Sequence, residues 1–300
     1  MEIIRPSFTI LAMTGHLALP YQYQPNPDLL LEACGRTCYK SEDKITEGSA
    51  VEFVKGVRGK HHNTVLEHSW KGRCYDVSVE KFGIGNWSKY LYISEYYHGI
   101  GSGVVIAGSI RAFEEAQRLN KALKEYEYRN LSEDELSFMA SENEEPFLMR
   151  ATVRLINDRG VSHEEVRHRP PAISQESTRY VNYNKRGMQT ILPVWSPDEI
   201  VDPEGHAEWV EAMNDSERHY NNLIHKGWIP QRARSVLPNS LKTELCVSAT
   251  LQEWQHIFMQ RALSLTGKAH EQMEEIMIPL HNEFIKLEPS FFNAEGEGYK

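Results

Sequence analysis

Between His163 and Tyr180 the chain reads HEEVRHRPPAISQESTRY. Arg167, His168, Arg169 and Arg179 flank the polar Ser174, Gln175 and Ser177, and no acid stands between Val166 and Gln175. Guanidinium groups left uncompensated in that density suit phosphate, which they hold through paired N–H donors. Ser177 could be a nucleophile, but serine is weak without an activating base and the sequence assigns none, so phosphate or base binding is favoured. HEEVRH looks like the zinc-binding HExxH pattern with its second histidine one residue late. On a helix that spacing sets the two side chains about 140° apart, which disfavours a zinc hydrolase. HHNTVLEH, residues 61–68, holds three of the thirteen histidines. It could be a metal site, a proton-transfer group or a structural loop, and spacing alone leaves all three open. Near the C-terminal end Gln252, His256 and Gln260 recur every four residues, a stripe that could by itself be a solvated helix face.

Arg167, His168 and Arg169, a gap of seven residues, then Ser177: this resembles the signature of the flavin-dependent thymidylate synthases. Other stretches agree in order. His62-x-Thr64-x-x-Glu67-His68 is similar to a family segment, as is Ala233-Arg234-x-x-Leu237-Pro238, followed twelve residues past the proline by Thr250 and then by a helix ending in Arg261. The resemblance covers about residues 25–80 and 147–288. It implies conversion of dUMP to dTMP, with the one-carbon unit taken from 5,10-methylenetetrahydrofolate and the hydride from FAD recharged by NADPH. It implies Arg261 and His62 at the reacting pyrimidine, and Thr64, Arg167, His168, Arg169, Gln175, Thr250, Gln252 and His256 on the flavin. The nucleotide would be held by Glu164, Arg167, Gln175, Ser177, Arg179, Arg234 and Arg261, and by the backbone amides of Glu176 and Thr178. His68 reads as structural. The resemblance further implies a homotetramer with active sites between subunits, and chemistry without a cysteine nucleophile. The chain departs from the commoner pattern at Thr250, where asparagine is usual, at Glu164, where glutamine is frequent, and at Pro170-Pro171-Ala172, where a more polar or aromatic run is common.

Positioning such residues requires a sizeable core, and 40% hydrophobic content in 300 residues supplies it. Forty-two acids against thirty-three Lys plus Arg give a formal charge of −9. That disfavours the rival reading of a nucleic-acid module built on Arg167, Arg169, Arg179, Arg232 and Arg234, because such binding needs a broad basic face. No apolar run suits a membrane span and the first residues lack signal-peptide order, so a cytoplasmic protein is expected. Cys34, Cys38, Cys74 and Cys246 form no CxxC pair and read as buried free thiols.

The spacing predicts a strand at Phe8–Met13, a helix opened by Asn26-Pro27-Asp28, and a second helix capped by Ser49 with Glu52 and carrying Val51, Val54 and Val57. A strand follows at Arg73–Val79. Residues of about 80–145 read as a long insertion packed on the rim of the core, with a helix from Ser109 to about Tyr128 and an acid-rich surface segment closing it. An apolar stretch over Phe147–Ile156 leads into the arginine motif. TRYVNY and MQTILP predict a hairpin across Asn184–Gly187, and Ser196–Glu199 a helix start. A long helix is expected from Glu208 to Lys226 with Gly227 as its stop, then a strand at Thr243–Ala249 and a helix packed through Leu251, Trp254, Ile257, Phe258 and Leu265. The last helix, Lys268–Lys286, should be interrupted near Pro279. The expected fold is α+β: a mixed β-sheet flanked by helices, in a single domain over residues 1–300.

Overall fold

The computed structural model describes residues 1–15, 26–76, 90–98, 101–119, 126–195 and 202–299. In order they form β1 (Glu2–Ile4), β2 (Ser7–Met13), α1 (Pro27–Thr37), α2 (Ser49–Gly59), β3 (Lys71–Tyr75), β4 (Leu91–His98), β5 (Gly101–Gly108), α3 (Ile110–Leu119), β6 (Arg129–Leu131) and α4 (Glu133–Glu142). Then come β7 (Arg150–Asp158), α5 (Arg159–Glu165), β8 (Ala172–Gln175), α6 (Tyr183–Arg186), β9 (Gln189–Ile191), α7 (Pro203–His225), α8 (Pro230–Ala233), β10 (Lys242–Thr250), α9 (Leu251–Arg261) and α10 (Glu271–Leu287). The fold is α+β, with two antiparallel four-stranded sheets rather than one mixed sheet, in orders β2-β7-β10-β8 and β4-β5-β3-β6. Among the described residues parallel pairing is confined to β1 and β9.

β10 is the spine. It pairs on one side with β7, from Lys242 opposite Asp158 to Thr250 opposite Arg150, and on the other with β8. All nine of its residues are buried, as an interior strand covered on both faces requires. Leu245, Val247 and Ala249 join the main core with Trp254, Phe258 and Phe284 of α9 and α10. Cys246 turns the other way, to Leu30 and Cys34 of α1. Helices therefore lie on both faces of this sheet. In the second sheet Val104 and Ile106 pack with Ala112, Phe113 and Ala116 of α3, whereas Val105 and Ala107 belong to the main core. The alternation of one strand thus fastens the second sheet to the first.

The Asn26 cap, with its side chain accepting from the Asp28 N–H, stands as expected. α2 differs: Gly48, in the left-handed region at φ 80°, occupies the cap, and the Ser49 hydroxyl donates to Glu32 instead. Ala50, Val54 and Val57 share its buried face, which turns Val51 out at 61% exposure. The acid-rich segment is not merely surface. Ser132 and Glu135 form a capping box for α4, and Leu136 and Ala140 are buried. Gly72 leaves the room for this, since a Cβ there would lie 2.5 Å from Leu136 Cδ2.

No hairpin spans 184–187: Asn182 caps α6, and β9 pairs in parallel with β1, 187 residues earlier in the chain. α7 ends as predicted, with Gly227 at φ 88° and the Trp228 N–H bonded to the Leu223 carbonyl. Leu265 lies beyond the end of α9 and is 54% exposed. Pro279 does not interrupt α10, because buried Met273, Ile276, Met277, Leu280 and Phe284 on either side of the missing N–H hold the helix together. The predicted helix start at Ser196–Glu199 and the strand end at 77–79 lie outside the described residues. All four cysteines are free; Cys34, Cys74 and Cys246 are buried and Cys38 is half-buried. Among the described residues no helix is long and apolar enough to cross a membrane.

Candidate functional site

β7 runs directly into α5 through Asp158. Its Oδ1 accepts from the Val161 N–H at 2.7 Å and its Oδ2 from Gln272 Nε2 at 2.7 Å, which fixes α5 against α10. The arginine motif follows at the C-terminal end of α5. α9 leaves the opposite end of the sheet, where Thr250 and Glu253 form a capping box. Eleven residues of helix span about 16 Å, and α9 brings its last residue back to the motif. There Arg261 donates through Nε to His168 Nε2 at 3.1 Å and through Nη1 to Glu164 Oε2 at 2.6 Å. Its Nη2 has no partner among the described residues. Since His168 Nε2 accepts, its proton sits on Nδ1. Burial, with the Arg261 charge adding to it, lowers the His168 pKa to about 4, so the ring is neutral at pH 7.

Beside this group a cavity of about 280 Å³ is lined by Tyr92, His168, Arg169, Pro170, Pro171, Gln252, Glu253, His256 and Ile257. The Gln252, His256, Gln260 stripe is therefore not only a solvated face: Gln252 and His256 line the cavity, and Gln260 Nε2 lies 2.9 Å from His256 Nε2. Arg167 and Arg169 are exposed and make no ion pair among the described residues. Under the motif Glu165 is buried at 4% exposure, with Asn157 Nδ2 donating to Oε1 at 2.6 Å and Oε2 unpartnered. Burial pushes its pKa up to about 8.

A second group forms past the other end of β8. Arg234 Nη1 donates to Thr178 Oγ1 at 3.2 Å, Arg179 Nε to Gln231 Oε1 at 3.3 Å, and Ser177 Oγ accepts from the Arg179 N–H. Tyr39 packs on Tyr180 with ring centroids 5.3 Å apart, and its hydroxyl meets His62 Nδ1 at 3.4 Å. His62 thus stands with the Ser177 group and not with Arg261. Thr64, two residues on, is exposed. No hydrogen bond or ion pair among the described residues joins the two groups.

Several of the predicted contacts are committed inside the fold. The Glu176 N–H bonds the Glu244 carbonyl at 2.8 Å, which corrects its assignment to phosphate, and its carboxylate pairs with buried Lys242. The Gln175 amide donates to Ser162 and Thr243. The Thr250 hydroxyl caps α9 rather than reaching outward. His68 is fully buried between Ser248 Oγ at 2.7 Å and Ser174 Oγ at 2.8 Å, joining its segment to β8 and β10, and burial lowers its pKa to about 3. Sequence reasoning missed Tyr92, Tyr39 and Glu253. Only Glu253 carried a signal, the Thr-x-x-Glu spacing of a capping box.

The profile of the family described as thymidylate synthase complementing protein matches residues 106–290. The chain belongs to this family. The match begins inside the segment that reads as an insertion and takes in both groups except Tyr39, His62, Thr64 and Tyr92. Among relatives of the thymidylate synthase complementing family, the flavin-dependent thymidylate synthase of Pyrococcus abyssi is 28% identical over 128 residues, 42% of this chain and 50% of that protein. That of Thermococcus kodakarensis is 31% identical over 126 residues, 42% and 49%, and that of Geobacter sulfurreducens 28% over 141 residues, 47% and 58%. The chain spans about half the length of the curated relatives it matches. Among solved structures, that of the UMP/dUMP methylase PolB from Streptomyces cacaoi bound with 5-Br dUMP gives a TM-score of 0.48 at 12% identity, over 97% of this chain and 95% of that one.

Proposed function

We propose that this chain is a flavin-dependent thymidylate synthase, one domain that converts dUMP to dTMP with methylenetetrahydrofolate as one-carbon donor and NADPH as the source of reducing equivalents. The observation that carries the reading is the meeting of Arg261 with Glu164 and His168 inside the matched family region. It assembles a directional donor and acceptor from segments more than ninety residues apart.

The residues fit a flavin dinucleotide. Two exposed guanidinium groups without local counter-charge, in a chain of net charge −9, suit a diphosphate. Beside them lies a mostly apolar cavity with His168, Gln252 and His256 on its wall. Arg167 and Arg169 would hold the diphosphate, and His168, Gln252 and His256 the flavin. Bound flavin, reduced by NADPH to FADH2, would supply the hydride that turns the transferred one-carbon unit into a methyl group and would return to FAD. Arg261 would donate to the pyrimidine O2 while Glu164 accepts from N3–H, orienting the ring. As electron density builds on the carbonyl oxygen during attack by C5, a fixed guanidinium stabilises it. Ser177, Thr178, Arg179 and Arg234 carry the donors for the phosphate of dUMP. No thiol is needed, and three of the four are buried.

The test is tritium release from C5-labelled dUMP by the purified protein with FAD, methylenetetrahydrofolate and NADPH. Release that requires every component is expected. Flavin binding without release would leave the cofactor reading and remove dUMP as substrate.

A further inference from the structure

Tyr92 lies on β4, in the segment that reads as an insertion, yet its side chain lines the same cavity as His168, Arg169, Gln252 and His256. Its placement is fixed from three directions. Phe147 backs the ring nearly parallel, at 5.9 Å between centroids and 21° between planes. Trp70 meets it at 5.9 Å. The phenol donates to Glu253 Oε1, whose other oxygen accepts from the Thr250 N–H at 2.7 Å. The hydroxyl is thus tied to the first turn of α9, the helix that carries Gln252 and His256. Burial and the neighbouring Glu253 charge raise the Tyr92 pKa, so the phenol remains a neutral donor.

A cavity of about 280 Å³ is at the small end for ligand sites, room for a planar heterocycle and not for a whole dinucleotide. Its other walls include the pyrrolidine rings of Pro170 and Pro171 and the imidazoles of His168 and His256. Tyr92 carries the largest aromatic ring among the lining residues, and Phe147 and Trp70 hold that ring in place.

We propose that Tyr92 is a cofactor-binding residue: its ring packs against the isoalloxazine of the bound flavin, so that the β4–β5 hairpin completes the flavin site of its own chain. This rests on the flavin reading above and adds to it a residue outside the arginine motif and α9. Stacked rings gain from offset contact of their π faces, and loss of one aromatic partner typically weakens such binding by about tenfold or more.

The experiment is a fluorescence titration of FAD into flavin-stripped full-length protein, with the flavin absorbance spectrum recorded at saturation, for wild type, Tyr92→Phe, Tyr92→Ala and Tyr92→Leu. Circular dichroism selects the folded variants, and Tyr92→Leu keeps most of the volume if the alanine variant does not fold. Expected are an affinity within about twofold of wild type for Tyr92→Phe, and a loss of about tenfold with a shifted flavin spectrum for Tyr92→Ala and Tyr92→Leu. Unchanged affinity and spectrum in the last two would overturn the proposal while the flavin reading stands. An equal loss in Tyr92→Phe would also overturn it, because the hydroxyl brace and not the ring would then be responsible. Wild-type protein that binds no FAD would remove the flavin reading itself.

Discussion

Arg261 makes two bonds to protein and keeps one amine for a ligand, which separates its role from that of the cavity residues beside it. Arg261→Ala should therefore retain bound flavin and lose dTMP formation by about 10²–10³-fold, the usual cost of removing one preorganised donor. Parallel flavin-absorbance and tritium-release measurements check this, and near-normal turnover would remove Arg261 from the mechanism. That Arg261 shares a site with the arginine motif was readable from the order of the two segments, whereas its direct bond to His168 was not. Gln175, Glu176 and Thr250 were less readable. A polar residue in a motif has the same letter whether it faces a ligand or closes a ladder, and these three are spent on Ser162 and Thr243, on the Glu244 carbonyl and on a helix cap.

At the scale of elements, α5 holds a carboxyl group whose titration opposes that of the buried histidines. Glu165 has a folded pKa of about 8 against 4.5 ordinarily. Between those values the folded protein keeps a proton that the unfolded chain releases, so this contribution is complete below pH 4.5 and is lost as pH rises to 8. His68 and His168, lowered to about 3 and about 4, act in the reverse sense. The unfolded chain takes up their protons below about pH 6.5, so their contribution is present above that value and lost as pH falls. Urea midpoints measured from pH 5 to 9 should fall on the alkaline side in wild type and fall less in Glu165→Gln; parallel profiles would mean Glu165 is not held protonated. Elements with a single strong period, such as α1, α7 and β10, were legible. β9 was legible as extended chain in MQTILP but its pairing was not, because its partner is β1, 187 residues earlier, and no local pattern announces a pairing over that distance.

For the whole molecule, the separation of the two groups within one chain is the main constraint. A cavity fit for one ring system lies at one end of β8 and an arginine-lined clamp at the other. Around the clamp Tyr180, Trp228, Ile229 and Val236 are exposed at 56%, 44%, 54% and 37%, apolar surface of the kind that subunit contacts cover. Assembly would bring one chain's clamp to another's cavity. Light scattering should give about four times the 34.6 kDa chain mass, and a monomer that turned over would count against it. β8 itself adds a mechanical consequence. Its residues are locked to β10 in register, Gln175 opposite Leu245 through Ala172 opposite Ser248. The seven residues between Arg169 and Ser177 therefore act as a calliper, set by the sheet and not by any ligand. Surface loops can lengthen without disturbing it. One residue added inside β8 would turn the later side chains of that strand to the opposite face, so the spacing depends on the count of residues there.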